Sequence, residues 1–503
     1  MSSTNQLLKK FQMNGLNVRQ DALNIFESEF KHGQPSYRSI DDFITVLIDK
    51  MLTEMNCDDY IIDSEMAQKA IDILRDSRQT QQPNEQDPNQ IIVRNAVDLE
   101  QQILGSNFEF HYQQLVKQLK KLPAFESGQF RLMNIDDLNT YESNIEIKCI
   151  VFAMIRYDPT RIMQFLLEDP TGKIPIHLSS QIVWREWATF QHGIYLIEGI
   201  YEGQRDSFQI TSIGLPPMPI QLNSIENVPN TIDDDDDHND NDNDDDRMLI
   251  FLTDVHLDQP TTMEALKFLF TGYNSLQQVP EIFILIGDFS STPIDNFDFK
   301  DNMKNLVKLI STFKKLSQNS KFIFVPGPND PSSTSVDSFV KYQFTSDHFP
   351  TTTTRLKNYD LPSNPFYLRF DNRNLCIFSN RILKKFAKNI INSHEQVNTT
   401  KLTKNDSTIM KDFLKSIGRL IMTNAHLTAG LCRNYTNSLS LFSQMTDLFF
   451  LADTESPFVE CQPFKLNKPS PLFTTSLSFS KNNFQFIVYY PKVNRLEESQ
   501  ISI

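Results

Sequence analysis

Apolar residues at three- and four-residue spacing dominate the first part of the chain. The segments LLKKFQMNG, DALNIFESEF and DDFITVLIDKML all carry this spacing, which predicts helices that bury one face. Ser39 precedes Ile40, Asp41 and Asp42, a helix start with acids in its first turn. Positions 76–90, DSRQTQQPNEQDPNQ, hold no apolar residue and read as an exposed linker. Helical spacing returns in AVDLEQQILG and FHYQQLVKQLKKL, within 91–125.

The period shortens from about residue 144. IEIKCIVFAMIRY is a long β-rich run, MQFLLED and IPIHLS flank the turn PTGK, and GIYLIEGIYEG and SFQITSIG follow. Five short strands around a central LEDPTG hairpin predict a small closed barrel of the OB type. Beyond residue 246 the grammar changes again. MLIFLTDVH, EIFILIGDFSS and KFIFVPGPNDP are continuous apolar runs that end in polar residues, separated by the helical segments MEALKFLFTGY and NMKNLVKLISTFKKL. This alternation predicts a sheet covered on both faces. NLCIFSN, RLIMTNAH, DLFFLAD and FQFIVYY read as further strands, some of them antiparallel.

Composition sharpens the picture in three places. The chain has 503 residues, enough for several domains. Its formal charge of −15 is concentrated at 233–246, DDDDDHNDNDNDDD; without those ten aspartates it is −5. Such a run reads as a solvated, self-repelling linker. The mild balance elsewhere argues against autonomous gripping of nucleic acid, which favours a basic stripe. Cys57, Cys149, Cys376, Cys432 and Cys461 are odd in number and never at CxxC spacing, so neither structural zinc nor a disulfide framework is expected and the chain reads as intracellular. No run approaches the roughly 18 apolar residues of a membrane span, and MSSTNQLLKK has no apolar signal core.

The candidate chemistry lies at the strand ends. Asp254-Val255-His256, Gly287-Asp288-Phe289 and Gly327-Pro328-Asn329-Asp330 close three successive strands, and Asn424-Ala425-His426 closes a later segment. Singly, each is ordinary turn chemistry. In order, carboxylates and imidazoles at strand ends suit a two-metal phosphoester site, where paired cations clamp an in-line displacement. The order DxH, GD, GN, H resembles the calcineurin-like metallophosphoesterase superfamily. The resemblance puts Asp254 and His256 at first-motif ligand positions, Asp288 at the bridging carboxylate, and His426 at the fourth-motif histidine. It also puts Pro328 and Asn329 where that superfamily has a ligand asparagine and a catalytic histidine. Proline offers no side-chain donor or acceptor, the missing histidine removes the usual acid, and DLFFLAD ends without a GHxH motif. Asp254, His256, Asp288, Asn329 and His426 therefore read as vestigial positions, with no catalytic residue, metal or cofactor expected.

A degraded phosphoesterase domain behind an OB-like barrel resembles the B subunits of the replicative DNA polymerases, above all the epsilon branch. FLLEDPTGKIPIHLS, Gly287–Ser291 of ILIGDFSSTP, Pro326–Pro331 of FIFVPGPNDP, and Phe486–Pro491 carry the resemblance, which covers 145–500 well and 1–75 weakly. It implies an α+β multidomain chain. Residues 1–75 would form a helical N-terminal domain, 76–98 a polar linker, 99–143 connecting helices and 144–222 the OB-fold barrel. Residues 223–246 would be an acidic disordered linker and 247–503 an inactive phosphoesterase-like α/β sandwich. It further implies a nuclear, non-catalytic subunit that holds the C-terminal region of the epsilon catalytic subunit. Small histone-fold subunits and replisome or helicase components would be further partners, with DNA reached through the complex and no membrane involved. The 39 phenylalanines would fill the core and part of that interface. Two alternatives stay open: an active metal-dependent phosphodiesterase or nuclease using Asp254, His256, Asp288 and His426, and a B subunit of polymerase delta or alpha.

Overall fold

The fold is that of a computed structural model. It describes residues 17–32, 61–62, 64, 66–71, 91–95, 108–128, 131–138, 140–141, 146–158, 160, 164–178, 180–216, 247–334, 339–350, 356–393, 407–431, 446–453, 460–463 and 471–502. Two compact units divide the chain, residues 1–90 and 91–503.

In the first unit β1 (Asn17–Val18) pairs in parallel with β2 (Ile61–Ile62), and α1 (Gln20–His32) follows β1. Ala22, Leu23 and Phe26 are buried on α1, the one-sided pattern of a packed helix. The helix expected over DALNIFESEF is present. No sequence pattern announces the strand pair, because two residues cannot display a period. LLKKFQMNG, DDFITVLIDKML and AVDLEQQILG lie outside the described residues.

The second unit corrects the reading of 76–98 as linker throughout. β3 (Ile92–Asn95) is a strand, paired antiparallel with residues 366–369. Next come α2 (Phe108–Leu119), α3 (Pro123–Glu126), β4 (Leu132–Met133) and α4 (Ile135–Leu138). β5 (Glu146–Tyr157), β6 (Phe165–Glu168), β7 (Lys173–His177), β8 (Val183–Trp184), β9 (Ala188–Phe190), β10 (Ile194–Glu202) and β11 (Ser207–Gly214) build the barrel region. The circuit β5-β10-β11-β7-β6 closes on β5, so five strands form the OB-like barrel, and closure leaves no open edge. The DPTG turn is fixed by Asp169. Its Oδ1 accepts from the amides of Thr171 and Gly172 at 2.8 and 2.9 Å, and its Oδ2 accepts from the Ile135 amide at the start of α4 at 2.8 Å.

The elements that follow are β12 (Leu249–Thr253), α5 (Pro260–Ser275), β13 (Ile282–Ile286), α6 (Asn296–Thr312), α7 (Lys314–Asn319), β14 (Lys321–Val325) and β15 (Tyr359–Asp360), then β16 (Phe366–Phe370), β17 (Arg373–Ser379), α8 (Leu383–Lys388), β18 (Ile390–Ser393), α9 (Ser407–Thr423), β19 (Leu448–Ala452), β20 (Glu460–Cys461), β21 (Leu472–Thr475), β22 (Gln485–Tyr490) and β23 (Arg495–Gln500); their strands other than β18 form, with β3, two six-stranded sheets. The first sheet runs β15-β14-β13-β12-β22-β23 and the second β20-β21-β19-β17-β16-β3. β12, β13 and β14 are apolar at nearly every position because both faces are covered. Ile250 and Leu252 face α5 and α6, whereas Leu249 and Phe251 face the second sheet, where Phe251 stacks on Phe450 at 4.2 Å. The result is helix, sheet, sheet, then α9 and the barrel.

RLIMTNAH is not a strand. Arg419–Thr423 end α9, whose Met410, Phe413, Leu414, Ile417, Leu420 and Ile421 are buried at helical spacing. A run of apolar residues this short looks alike in either state, and the longer period decides. Barrel and sandwich share one apolar core that includes Tyr112, Phe152, Phe190, Phe386, Phe413 and Phe449. β9 pairs with β18, and the Asn424 side chain bonds both backbone groups of Ile194 (2.7 and 3.0 Å). Among the described residues only Phe268 and Phe297 are largely exposed phenylalanines, so the abundant phenylalanine serves mainly the core. No described helix is long and apolar enough to cross a membrane.

Candidate functional site

Parallel strands buried on both faces deliver their first polar residues at one edge of the sheet. β12 ends at Thr253, and Asp254 follows with φ +51°, a left-handed conformation that aspartate tolerates better than most residues. Its Oδ1 accepts from the Asp288 amide at 3.2 Å, which joins the first strand end to the second. His256 is buried; its amide donates to Ser480 Oγ at 2.9 Å. His256 Nδ1 is enclosed with no hydrogen-bond partner. Burial lowers the His256 pKa, against the opposing pull of Asp254.

Asp288 is the centre of the cluster. Its Oδ1 accepts from the Asn329 amide at 2.8 Å, and its Oδ2 from Asn329 Nδ2 at 2.7 Å and Arg381 Nη2 at 3.0 Å. Burial raises its pKa, with Asn329 and Arg381 acting the other way. Asp330 clamps the same two loops, accepting from the Phe289 amide at 2.8 Å and the Gly327 amide at 2.7 Å. Burial first, then the Asp288 charge, push Asp330 up to about 7. Lys341 Nζ donates to the carbonyls of Asp330 and Ser332 at 2.5 and 2.9 Å, and burial lowers its pKa.

Gly287 and Gly327 are where these loops touch. A Cβ on Gly287 would collide with Asp330 Oδ2 and come within 2.7 Å of the Gly327 amide nitrogen. One on Gly327 would come within 2.6 Å of the Asp288 amide nitrogen. The GD and PGP motifs are thus required by backbone proximity as well as by any chemistry.

The structure brings Asp254, His256, Asp288 and Asn329 together. His426 has another setting: it follows α9, its Nδ1 meets the Thr428 amide at 3.2 Å, and its ring lies edge-on to His111 at 5.2 Å. At the end of β19, Asp453 Oδ2 accepts from the Leu383 amide at 2.8 Å. The donor set does not fit the metal pair that the phosphoesterase resemblance implies. Both oxygens of the would-be bridging carboxylate already accept from Asn329 and Arg381, and Pro328 can ligate nothing. Among the described residues no three His, Cys, Asp or Glu side chains converge as a metal site. The one orphaned His256 nitrogen falls short of the four or more donors a bound metal takes. Lys341 and Arg381 were not visible as site residues in the sequence; Asp330 stood inside the PGPNDP motif, with no role assigned to it.

The family profile of the DNA polymerase alpha/epsilon B subunit matches residues 249–459, and that of the DNA polymerase epsilon subunit 2-like OB-fold domain matches 92–217. DNA polymerase epsilon subunit 2 of Bos taurus is 27% identical over 405 residues, covering 75% of this chain and 70% of the relative. The chain belongs to the DNA polymerase epsilon B-subunit family. The human subunit 2 is 26% identical over the same shares, and the probable subunit 2 of Caenorhabditis elegans 25% identical over 67% of this chain and 62% of its own. The family's OB match opens at Ile92, the first residue of β3. The match over 249–459 spans Asp254, His256, Asp288, Asn329 and His426.

Proposed function

We propose that this chain is the non-catalytic accessory subunit of the DNA polymerase epsilon complex. The observation that carries the non-catalytic part is that both oxygens of the Asp288 carboxylate are engaged by protein donors, Oδ1 by the Asn329 amide and Oδ2 by Asn329 Nδ2 and Arg381, where a bridging carboxylate would face two metal ions. The family supplies the rest. In this reading 247–503 is a phosphoesterase-like sandwich that has lost its chemistry, and 1–75 is a small helical domain. The barrel and sandwich hold the C-terminal region of the catalytic subunit. Histone-fold subunits and helicase components are further partners, DNA is met through the complex, and the site of action is the nucleus. The profile over 249–459 is shared by alpha and epsilon, but the OB-fold profile and the relatives reported are named for epsilon, so nothing favours the delta or alpha alternative, and the nuclease alternative lacks a ligand set.

The test is affinity purification of the tagged chain from its own cells with mass spectrometry of co-eluting proteins. Recovery of the epsilon catalytic subunit near one to one is expected. Recovery of another polymerase would change the subtype, and recovery of none would remove the reading.

A further inference from the structure

Asp288 is 2% exposed, and a carboxylate that buried is unfavourable without a compensating cation. In a metallophosphoesterase the cation is a metal. Here Arg381 Nη2 stands 3.0 Å from Asp288 Oδ2. A second cation, Lys341, reaches the carbonyls on the neighbouring Asp330 loop. Arg381 follows β17 of the second sheet, whereas Asp288 and Asn329 follow β13 and β14 of the first. Asn364 repeats the same bridge with neutral groups. Its Nδ2 donates to Pro326 O at 2.9 Å, beyond β14, and to Ser379 O at 2.7 Å, at the end of β17. Its backbone exchanges hydrogen bonds of 2.8 and 2.9 Å with Lys341.

We propose that Arg381 is the built-in counter-cation of the remnant centre, and that the Asp288–Arg381 pair, with Lys341 beside it, ties the strand ends of the two sheets together without a metal. The proposal rests on the reading of the chain as a non-catalytic subunit. It gives the degraded site a present structural role. The carboxylate persists because a guanidinium has taken the place of the ions, and removing Arg381 alone strands the buried Asp288.

The experiment uses the full chain purified with its bound partners, reading metal content by elemental mass spectrometry and the thermal unfolding midpoint with and without EDTA. Far less than one metal ion per chain and no EDTA effect are expected. Arg381→Gln should lower the midpoint by a few degrees. The double variant Asp288→Asn/Arg381→Gln should recover at least half of that loss, because it removes the stranded carboxylate as well. Arg381→Lys, which keeps the cation, should lie close to the wild type; if Arg381→Gln does not accumulate, recovery of soluble protein in the double variant is read in place of its midpoint. Three results would each overturn the proposal: an unchanged midpoint in Arg381→Gln, a double variant that recovers less than half of the loss, or a stoichiometric metal whose removal lowers the midpoint. Partner recovery is read on the same preparations. A failed accessory-subunit reading shows as a missing polymerase, and a failed clamp shows in the midpoints alone.

Discussion

At Gly327 a single hydrogen stands where any other residue would place a carbon. The Asp288 amide nitrogen lies within 2.6 Å of that carbon's position, and the Asp288 Oδ1 is equally close. Neither neighbour can retreat, since the amide belongs to a loop held by Asp254 and the carboxylate oxygen accepts from Asn329. Gly327→Ala should therefore destabilise the chain by about 3 kcal/mol, the scale of overpacking in a rigid site. Chemical denaturation of the purified protein checks it, and a loss below about 0.5 kcal/mol would show that the loops yield easily. This residue was legible as part of a motif, although the motif suggested ligand chemistry and the structure shows close backbone packing. Arg381 and Lys341 were not legible at all. They reach the cluster from distant segments with no spacing rule that links them to Asp288 or Asp330.

Between elements, the decisive junction is where α2, β10 and the end of α9 meet. His111 on α2 is buried, and its Nε2 lies 2.7 Å from the Asn424 carbonyl, so the neutral ring donates there. Burial, and then the His426 charge, hold the His111 pKa well below its ordinary value. The unfolded chain takes up that proton near pH 6.5, and the folded chain does not. Stability is therefore fully present above about pH 6.5 and declines as pH falls below it, by up to about 1.4 kcal/mol per pH unit for one proton. His111→Gln keeps a donor for the carbonyl and removes the titration, so its urea-unfolding free energy should fall less steeply between about pH 6.5 and 5. Equal slopes in variant and wild type would place the acid sensitivity elsewhere. Elements of this kind differ in how far the sequence reveals them. β12 to β14 are readable because burial on both faces makes every position apolar. The end of α9 reads as a strand because RLIMT is too short to show its period. β3 has four residues, and its partner, β16, lies so far along the chain that no local pattern marks the pairing.

For the whole molecule, the acidic run suggests two bodies on a tether, and the packing contradicts that picture. Phe190 of the barrel lies edge-on to Phe386 of α8 at 5.4 Å and tilted to Phe413 of α9 at 6.0 Å. β9 pairs with β18 across the same seam, and Asn424 bonds the backbone of Ile194. Elsewhere β3, encoded before the barrel, is an edge strand of the second sheet, paired with β16. Residues before and after 217–246 are thus joined at two separate places, each buried and hydrogen-bonded. The peptide link between them contributes only the modest entropy of keeping both parts together. A protease site inserted within 233–246 and cleaved after folding should leave both fragments in one particle that survives size exclusion in about 0.5 M salt, because apolar contact is not screened. Cleavage should also leave recovery of the polymerase partner intact. Separation of the fragments without denaturant would mean that the shared core is too weak to unite them, and that the partner complex must be what holds barrel and sandwich in register.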